Sequence, residues 1–155
     1  HRRAAQLLVE NRRLSDDLRT SLERALHMAD HDSLTGLFNR RAFFAHTKQA
    51  SWPKRLVIMI DIDHFKTIND RYGHAVGDVV LKRIGRVIRT VLQEEVGADH
   101  FAARLGGEEF AVMVPCGPTF ENRALTDMLH RRIGLFYTHH AQHARTRTDM
   151  PGIAH

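Results

Sequence analysis

The chain has 155 residues, 43% of them hydrophobic and 26% charged, which is enough to build the core of one domain with an extension. Its single cysteine, Cys116, excludes an internal disulfide and favours a reducing, cytoplasmic location, and its longest aliphatic run, residues 56–60, is too short to span a bilayer. The formal net charge of +5 favours an anionic partner, either a nucleotide or a nucleic acid.

Residues 1–30 contain neither glycine nor proline and predict one long helix. Its apolar stripe is formed by Leu7, Leu14, Leu18, Leu22, Ala25, Leu26 and Ala29. The stripe is not a strict heptad repeat, because Asn11 and Ser21 interrupt it. Two interpretations stay open: a helix that pairs with a partner helix, as in a coiled coil, or a helix packed on its own domain.

A turn and a short helix follow. Residues 32–37 have the composition of a turn, and Asn39 is suited to cap a helix that runs to about residue 49. Asp32 and Arg40 have two open interpretations: they fasten this turn, or they contribute directly to a site.

Residues 55–60 are apolar and β-branched, so they predict a buried central strand, and that strand ends in Asp61-Ile62-Asp63. Residues 65–72 predict a helix that ends at Gly73. A second helix is predicted to open at Gly77-Asp78 and to run to about residue 95.

This second helix carries a basic face, formed by Lys82, Arg83, Arg86 and Arg89. Charge on an exposed helix face usually serves solvation, and no aromatic residue interleaves with these four. We therefore expect no nucleic-acid partner.

Gly106-Gly107 lies between two apolar runs and predicts a tight hairpin with strands at about 99–105 and 108–114. Glu108 and Glu109 follow the turn and should diverge, one to each side. Adjacent acids at a turn favour a divalent cation beside them. Asp61, at the end of the central strand, completes the set of carboxylates that a metal-dependent nucleotidyl transfer needs.

Residues 122–143 predict a last helix, and the final dozen residues are expected to be loose. His139 and His143 would share one face of that helix, next to His140. No cysteine or acid clusters with these histidines, so a metal site there is disfavoured.

Four blocks of the sequence, in this order, resemble the GGDEF family, the diguanylate cyclases, in the variant that reads Gly-Gly-Glu-Glu-Phe. The blocks are residues 32–41, 61–70, 72–78 and 104–110. The resemblance implies an α+β fold with a palm-like antiparallel sheet flanked by helices, of the nucleotidyl cyclase type. A long signalling helix at 1–31 would precede the domain at 32–155, whose match is strongest over 32–115.

The activity that the resemblance implies is condensation of two GTP into cyclic di-GMP, with release of two pyrophosphates. Two Mg²⁺ or Mn²⁺ ions would lower the pKa of the attacking 3′-hydroxyl and neutralise the leaving pyrophosphate. Because one active site holds one GTP, two domains must meet as a homodimer. The helix at 1–31 would link the domain to an upstream sensory domain.

The resemblance also assigns the acids. Asp61 and Glu108 would be the metal carboxylates, the Ile62 carbonyl a further ligand, and Glu109 a third acid that assists metal binding or deprotonation. The alternative for Asp61 is a strand-end acid that caps a nearby helix.

The substrate residues follow in the same way. Asn69 and Asp78 match the pair that reads guanine, while the His64 and Phe65 amides, with Lys66, resemble a turn that cradles phosphates. The alternatives are that Asp78 caps the helix it opens and that Lys66 is a surface charge. A metal-dependent nucleotidyltransferase with another product is a rival that the guanine pair argues against.

Two departures from the family pattern stand out. Gly97 and His100 occupy the positions of an inhibitory Arg-x-x-Asp, so we expect no inhibitory site. After Pro115 no Ser-x-Gly strand or late Lys-x-x-Gly-Arg segment is recognisable, which predicts an open sheet edge, weak GTP binding and slow turnover. Among Arg131, Arg132, Arg145 and Arg147, one or two could reach back to the phosphates, but no motif supports this and it is disfavoured. The alternative function is an impaired domain that binds GTP or a partner as a signalling module.

Overall fold

The computed structural model of the protein describes residues 2–116, 122–135 and 144–148. The helices are α1 (Arg2–Asp30), α2 (Arg40–Gln49), α3 (Phe65–Tyr72), α4 (His74–Glu95) and α5 (Asn122–Leu135). The strands are β1 (Phe38–Asn39), β2 (Arg55–Ile62), β3 (Phe101–Gly106), β4 (Glu109–Pro115) and β5 (Ala144–Thr148). No helix within these ranges is both long enough and apolar enough to cross a membrane.

The strands form one sheet in the order β1-β3-β4-β2-β5. Strand β2 pairs with β4 in antiparallel register from Arg55 opposite Pro115 to Asp61 opposite Glu109. Only β1, two residues long, runs parallel to its neighbour β3. The predicted α+β fold, with an antiparallel sheet flanked by helices, is confirmed, and the parallel edge strand is an addition to it.

The outer edge of β2 is not open, so that expectation is wrong. Strand β5 pairs with β2 in antiparallel register, from Ile58 opposite Thr148 to Ile62 opposite Ala144. The sequence of β5, Ala-Arg-Thr-Arg-Thr, has no apolar run that would predict a strand. His139, His140 and His143, and the predicted helical stretch around them, lie outside the described residues.

The sheet is covered on both faces, and the side chains of β2 point alternately to one face and the other. Its residues at even positions join a large cluster with α4 and α5, which includes Leu56, Ile58, Ile60, Ile62, Ile84, Ile88, Leu129 and Ile133. Its residues at odd positions face a smaller cluster with α2, which includes Val57, Met59, Phe43, Ala111 and Met113. Asp61, the next odd position, therefore lies on the α2 side of the sheet, at its end.

Helix α1 projects from the domain, since residues 3–29 are all exposed. Leu14 and Leu18 of its apolar stripe remain 64% and 72% exposed. The structure therefore does not support the interpretation of a helix packed along its own domain. The stripe is free to meet a partner helix.

A stack of rings joins the end of α1 to the sheet. His27 stacks on His31 with ring centroids 3.8 Å apart, and His31 lies 4.8 Å from Phe38. Phe38 lies 4.6 Å from His46, which stacks on Phe101 at 4.9 Å. The stack thus leads from the last turn of α1 to the first residue of β3.

Candidate functional site

Asp61 and Glu109 are register partners across strands β2 and β4. Directly opposite residues of an antiparallel pair have Cβ atoms about 4.5–5.5 Å apart, and like charges in that position destabilise a sheet. Both side chains are exposed, so a cation from solution can reach them. These two carboxylates and the carbonyl of Ile62, the residue after Asp61, are hard oxygen donors, which suit Mg²⁺ bound together with substrate phosphates.

Glu108 occupies the turn next to this pair. Gly106 faces Glu109 in the register, which leaves Gly107 and Glu108 as the central turn residues, and Gly107 has a left-handed φ of 48°. Glu108 is half-buried. The predicted hairpin is confirmed, with Glu108 in the turn rather than on the strand. Among the described residues, no three His, Cys, Asp or Glu side chains form a group that could hold a metal by themselves.

Arg104 ties this turn to the segment that follows α1. Its Nε donates to the Gly107 carbonyl at 2.9 Å, and its Nη1 donates to Asp32 Oδ1 at 3.1 Å. Both side chains of the ion pair are mostly buried, with 16% and 19% exposure. The sequence alone does not reveal a role for Arg104, because its partner Asp32 lies 72 residues away in the chain.

Asp32 also organises its own turn. Its Oδ2 accepts from the Thr35 amide at 2.8 Å and from the Thr35 hydroxyl at 2.7 Å. The Asp32 interpretation as a fastener is therefore confirmed. Arg40 does not take part, because its guanidinium lies over the Phe44 ring, 5.6 Å from the centroid.

Between β2 and α3 the chain turns sharply at His64. His64 has φ 59°, which is uncommon for a residue with a side chain, and it occupies the N-cap position of α3 without a side-chain cap bond. Local strain of this kind often marks a functional segment. The Phe65 side chain is buried, while the side chains of His64 and Lys66 are exposed. Lys66 and the first amides of α3 follow Asp61 within a few residues of the chain.

The predicted guanine pair lies on two helices that meet at Gly73. Gly73, with φ 86°, ends α3 and also precedes α4, which begins at His74 and not at Gly77. Asp78 therefore sits in the second turn of α4, and the interpretation of Asp78 as the helix cap is wrong. Asp78 is exposed, while Asn69 on α3 is half-buried.

At the positions of the inhibitory motif, the structure shows a loop closed on itself. His100 Nδ1 lies 2.8 Å from the Gly97 carbonyl, and Gly97 has φ 81°. Neither residue carries a carboxylate or a guanidinium, the groups of the motif that these positions would otherwise hold.

Comparison with known proteins places these features in a family. The family model described as "Diguanylate cyclase, GGDEF domain" matches residues 29–154, and so includes the part after Pro115 in which no family motif was recognised. The chain is 40% identical over 100 residues to the diguanylate cyclase VdcA of Vibrio cholerae, covering 63% of this chain and 28% of that protein. It is 34% identical over 118 residues to DgcT of Escherichia coli, named a probable diguanylate cyclase, covering 74% of this chain and 25% of that protein.

Solved structures agree. The coiled coil and GGDEF domain of DgcB from Caulobacter crescentus, in complex with c-di-GMP, matches with a TM-score of 0.64 and 31% identity, covering 81% of this chain and 65% of that one. The diguanylate cyclase SiaD of Pseudomonas aeruginosa, in complex with its activator SiaC, matches with a TM-score of 0.61 and 27% identity, covering 84% of this chain and 51% of that one. The chain thus corresponds to one part of longer proteins.

Proposed function

Because the chain belongs to the GGDEF family of diguanylate cyclase domains, we propose that it condenses two GTP into cyclic di-GMP and releases two pyrophosphates. The observation that carries this proposal is the pairing of Asp61 with Glu109, next to Glu108 in the turn. A sheet end that gathers like charges is unfavourable on its own and becomes favourable when a cation binds there.

Three groups would hold Mg²⁺ or Mn²⁺: the Asp61 and Glu108 carboxylates and the Ile62 carbonyl. The ions supply charge neutralisation at the phosphates and a lower pKa for the attacking 3′-hydroxyl. Glu109, opposite Asp61 in the sheet, adds negative charge to this site and can accept the proton of the hydroxyl.

The nucleotide would lie across α3 and α4. The exposed Asp78 carboxylate accepts from the N1–H and the 2-amino group of guanine, and the Asn69 amide donates to an acceptor of the same base. Adenine lacks both of those donors. The His64 and Phe65 amides, with Lys66, bind the phosphates at the start of α3.

Two such sites must face each other to join two GTP, so the active form is a homodimer. The exposed apolar stripe of α1 supports pairing with a second copy, and two-fold symmetry would bring the sites together. An upstream sensory domain would act through the same helix in the cytoplasm.

The decisive experiment is incubation of the purified protein with GTP and Mg²⁺, followed by chromatography of the nucleotides. We expect cyclic di-GMP and pyrophosphate. The variant Glu108→Gln keeps the shape of the side chain and loses its charge, so it should fold normally and lose nearly all turnover. Wild-type production of cyclic di-GMP by this variant would contradict the assignment of Glu108.

A signalling module that binds GTP or a partner without turnover is a second candidate. Residues 116–155 contain no lysine, so a cation from this part of the chain that binds substrate phosphates has to be an arginine. In the register of strand β5, Arg145 is the residue opposite Asp61. Binding of GTP without any product would select this second candidate.

A further inference from the structure

Helix α4 meets helix α3 at Gly77, a buried residue of its first turns. A Cβ built on Gly77 would lie 1.9 Å from Asn69 Oδ1, 3.0 Å from Asn69 Cγ and 3.1 Å from Phe65 Cζ. The first distance is impossible for a real atom. A side chain at position 77 therefore cannot coexist with the present position of the Asn69 amide.

Backbone conformation does not explain this glycine. Gly77 is not among the glycines with positive φ, and it lies inside a regular helix. Alanine is strongly preferred over glycine in a helix interior. Space for Asn69 is the property that glycine supplies here.

Asn69 Oδ1 is buried and has no hydrogen-bond partner within the part of the chain that the structure describes. Few buried acceptors in native proteins are left unpaired, and such groups often lie at functional sites. The hydrogen that glycine carries in place of a Cβ points at this oxygen. Because the amide is planar, an oxygen turned toward Gly77 directs the nitrogen away from it.

We propose that Gly77 is a positioning residue for base recognition, because it fixes the Asn69 amide with its oxygen inward and its NH₂ group toward the nucleotide. The amide then donates to an acceptor of guanine, either O6 or N3. This inference rests on the proposed function and deepens it. Asp78, the second proposed reader of the base, directly follows Gly77 on α4.

The test compares Gly77→Ala with the wild-type chain by titration calorimetry. The added methyl group must displace the amide, so GTP should bind about ten-fold less tightly, the effect of losing one hydrogen bond worth about 1.4 kcal/mol. Two analogues locate the lost contact while they keep the N1–H and the 2-amino group that Asp78 reads: 6-thio-GTP replaces O6 with a weak sulfur acceptor, and 3-deaza-GTP lacks N3. Wild type should bind one of them about ten-fold less tightly than GTP, whereas Gly77→Ala should bind that analogue and GTP alike.

ITP provides an internal control, because it lacks only the 2-amino group that Asp78 reads. The ratio of the dissociation constants for ITP and GTP should be the same in the wild-type chain and in Gly77→Ala. Gly85→Ala is the matched control variant, since Gly85 is a second buried glycine of α4 whose Cβ would lie 3.0 Å from Thr35 Cβ. Gly85→Ala should alter thermal stability and leave the selectivity among the nucleotides unchanged.

A double variant shows whether the effect acts through Asn69. In the Asn69→Ala background, the side-chain amide that would clash with a Cβ at position 77 is gone. Gly77→Ala should therefore cause no further loss of GTP affinity. This double variant should also fold if Gly77→Ala alone does not, and its selectivity should equal that of Asn69→Ala. A further loss in this background, or wild-type selectivity in Gly77→Ala, would overturn the inference.

The failure of the inference can be told from the failure of the proposed function. If the wild-type chain prefers GTP to ATP and Gly77→Ala keeps full selectivity, only the role of Gly77 is refuted. If the wild-type chain binds GTP no better than ATP, guanine recognition itself is refuted, and the role of Gly77 with it.

Discussion

Arg104 donates a hydrogen bond to Asp32, 72 residues away in the chain, while its Nε holds the Gly107 carbonyl of the signature turn. One guanidinium thus joins the segment after α1 to the turn that carries Glu108. Because both side chains are mostly buried, this ion pair is shielded from salt and should contribute more than an exposed one.

Removing this guanidinium should weaken both the fold and the turnover. We expect Arg104→Ala to lower the free energy of unfolding by about 1.5–3 kcal/mol, the usual value for hydrogen bonds to charged groups. Turnover should fall as well, because the Gly107 turn loses its anchor. Urea denaturation and initial rates measure the two effects. Arg40→Ala is the control, since Arg40 is exposed and lies over the Phe44 ring, so its loss should cost less than about 1 kcal/mol.

Neutralising Glu109 should have opposite effects on stability and activity. In metal-free protein, Glu109→Gln removes the repulsion from Asp61 and should raise the free energy of unfolding by about 0.2–1 kcal/mol. With Mg²⁺ and GTP the same variant should turn over more slowly. Denaturation in the presence of a chelator tests the first part. A variant that is less stable than wild type under those conditions would show that Glu109 has a favourable partner other than a metal.

Loss of the Asp78 side chain should weaken the binding of GTP and not that of ATP. Asp78→Ala should weaken GTP binding by about 1–3 kcal/mol, the range for losing a charged hydrogen-bond partner, and should barely change ATP binding. Titration calorimetry with both nucleotides gives the answer. Glu95→Ala, at the far exposed end of the same helix, should change neither. Equal losses for GTP and ATP would show that Asp78 does not read the base.

Pairing through α1 predicts a dependence on protein concentration. Deletion of residues 1–30 should reduce turnover most at low concentration, because collision of free domains replaces a held dimer. The point variant Leu18→Glu, in the exposed stripe, should act in the same direction, and Thr20→Glu, on another face, should not. A loss of equal size at every concentration would indicate that α1 supports folding instead.

Local signals in the sequence identified several elements well. Asn39 caps α2 as predicted, with its Oδ1 accepting from the Ala42 amide at 2.9 Å, and Gly73 ends α3. These features depend on residues a few positions apart. The sequence predicts a start of α4 at Gly77, three residues too late, because Gly77 resembles a helix boundary. Its close approach to Asn69 in the fold shows that this position needs a residue without a side chain.

Contacts between distant segments could not be predicted in the same way. Strand β5 has a polar sequence, and its place beside β2 depends on pairing across the sheet. The pairing of Asp61 with Glu109 required the register of β2 and β4, and the contact of Arg104 with Asp32 required the whole fold. The metal and substrate residues themselves stay predictions that the experiments above address.

The end of α1 and the segment directly after it contact strand β3 at two separated points. The ring stack reaches Phe101 at the start of the strand, and Asp32 holds Arg104 near its far end. With a single contact, the helix could rotate without moving the strand. With two attachments, the segment at the end of α1 cannot rotate against β3 without breaking the ring contacts or the Asp32–Arg104 ion pair.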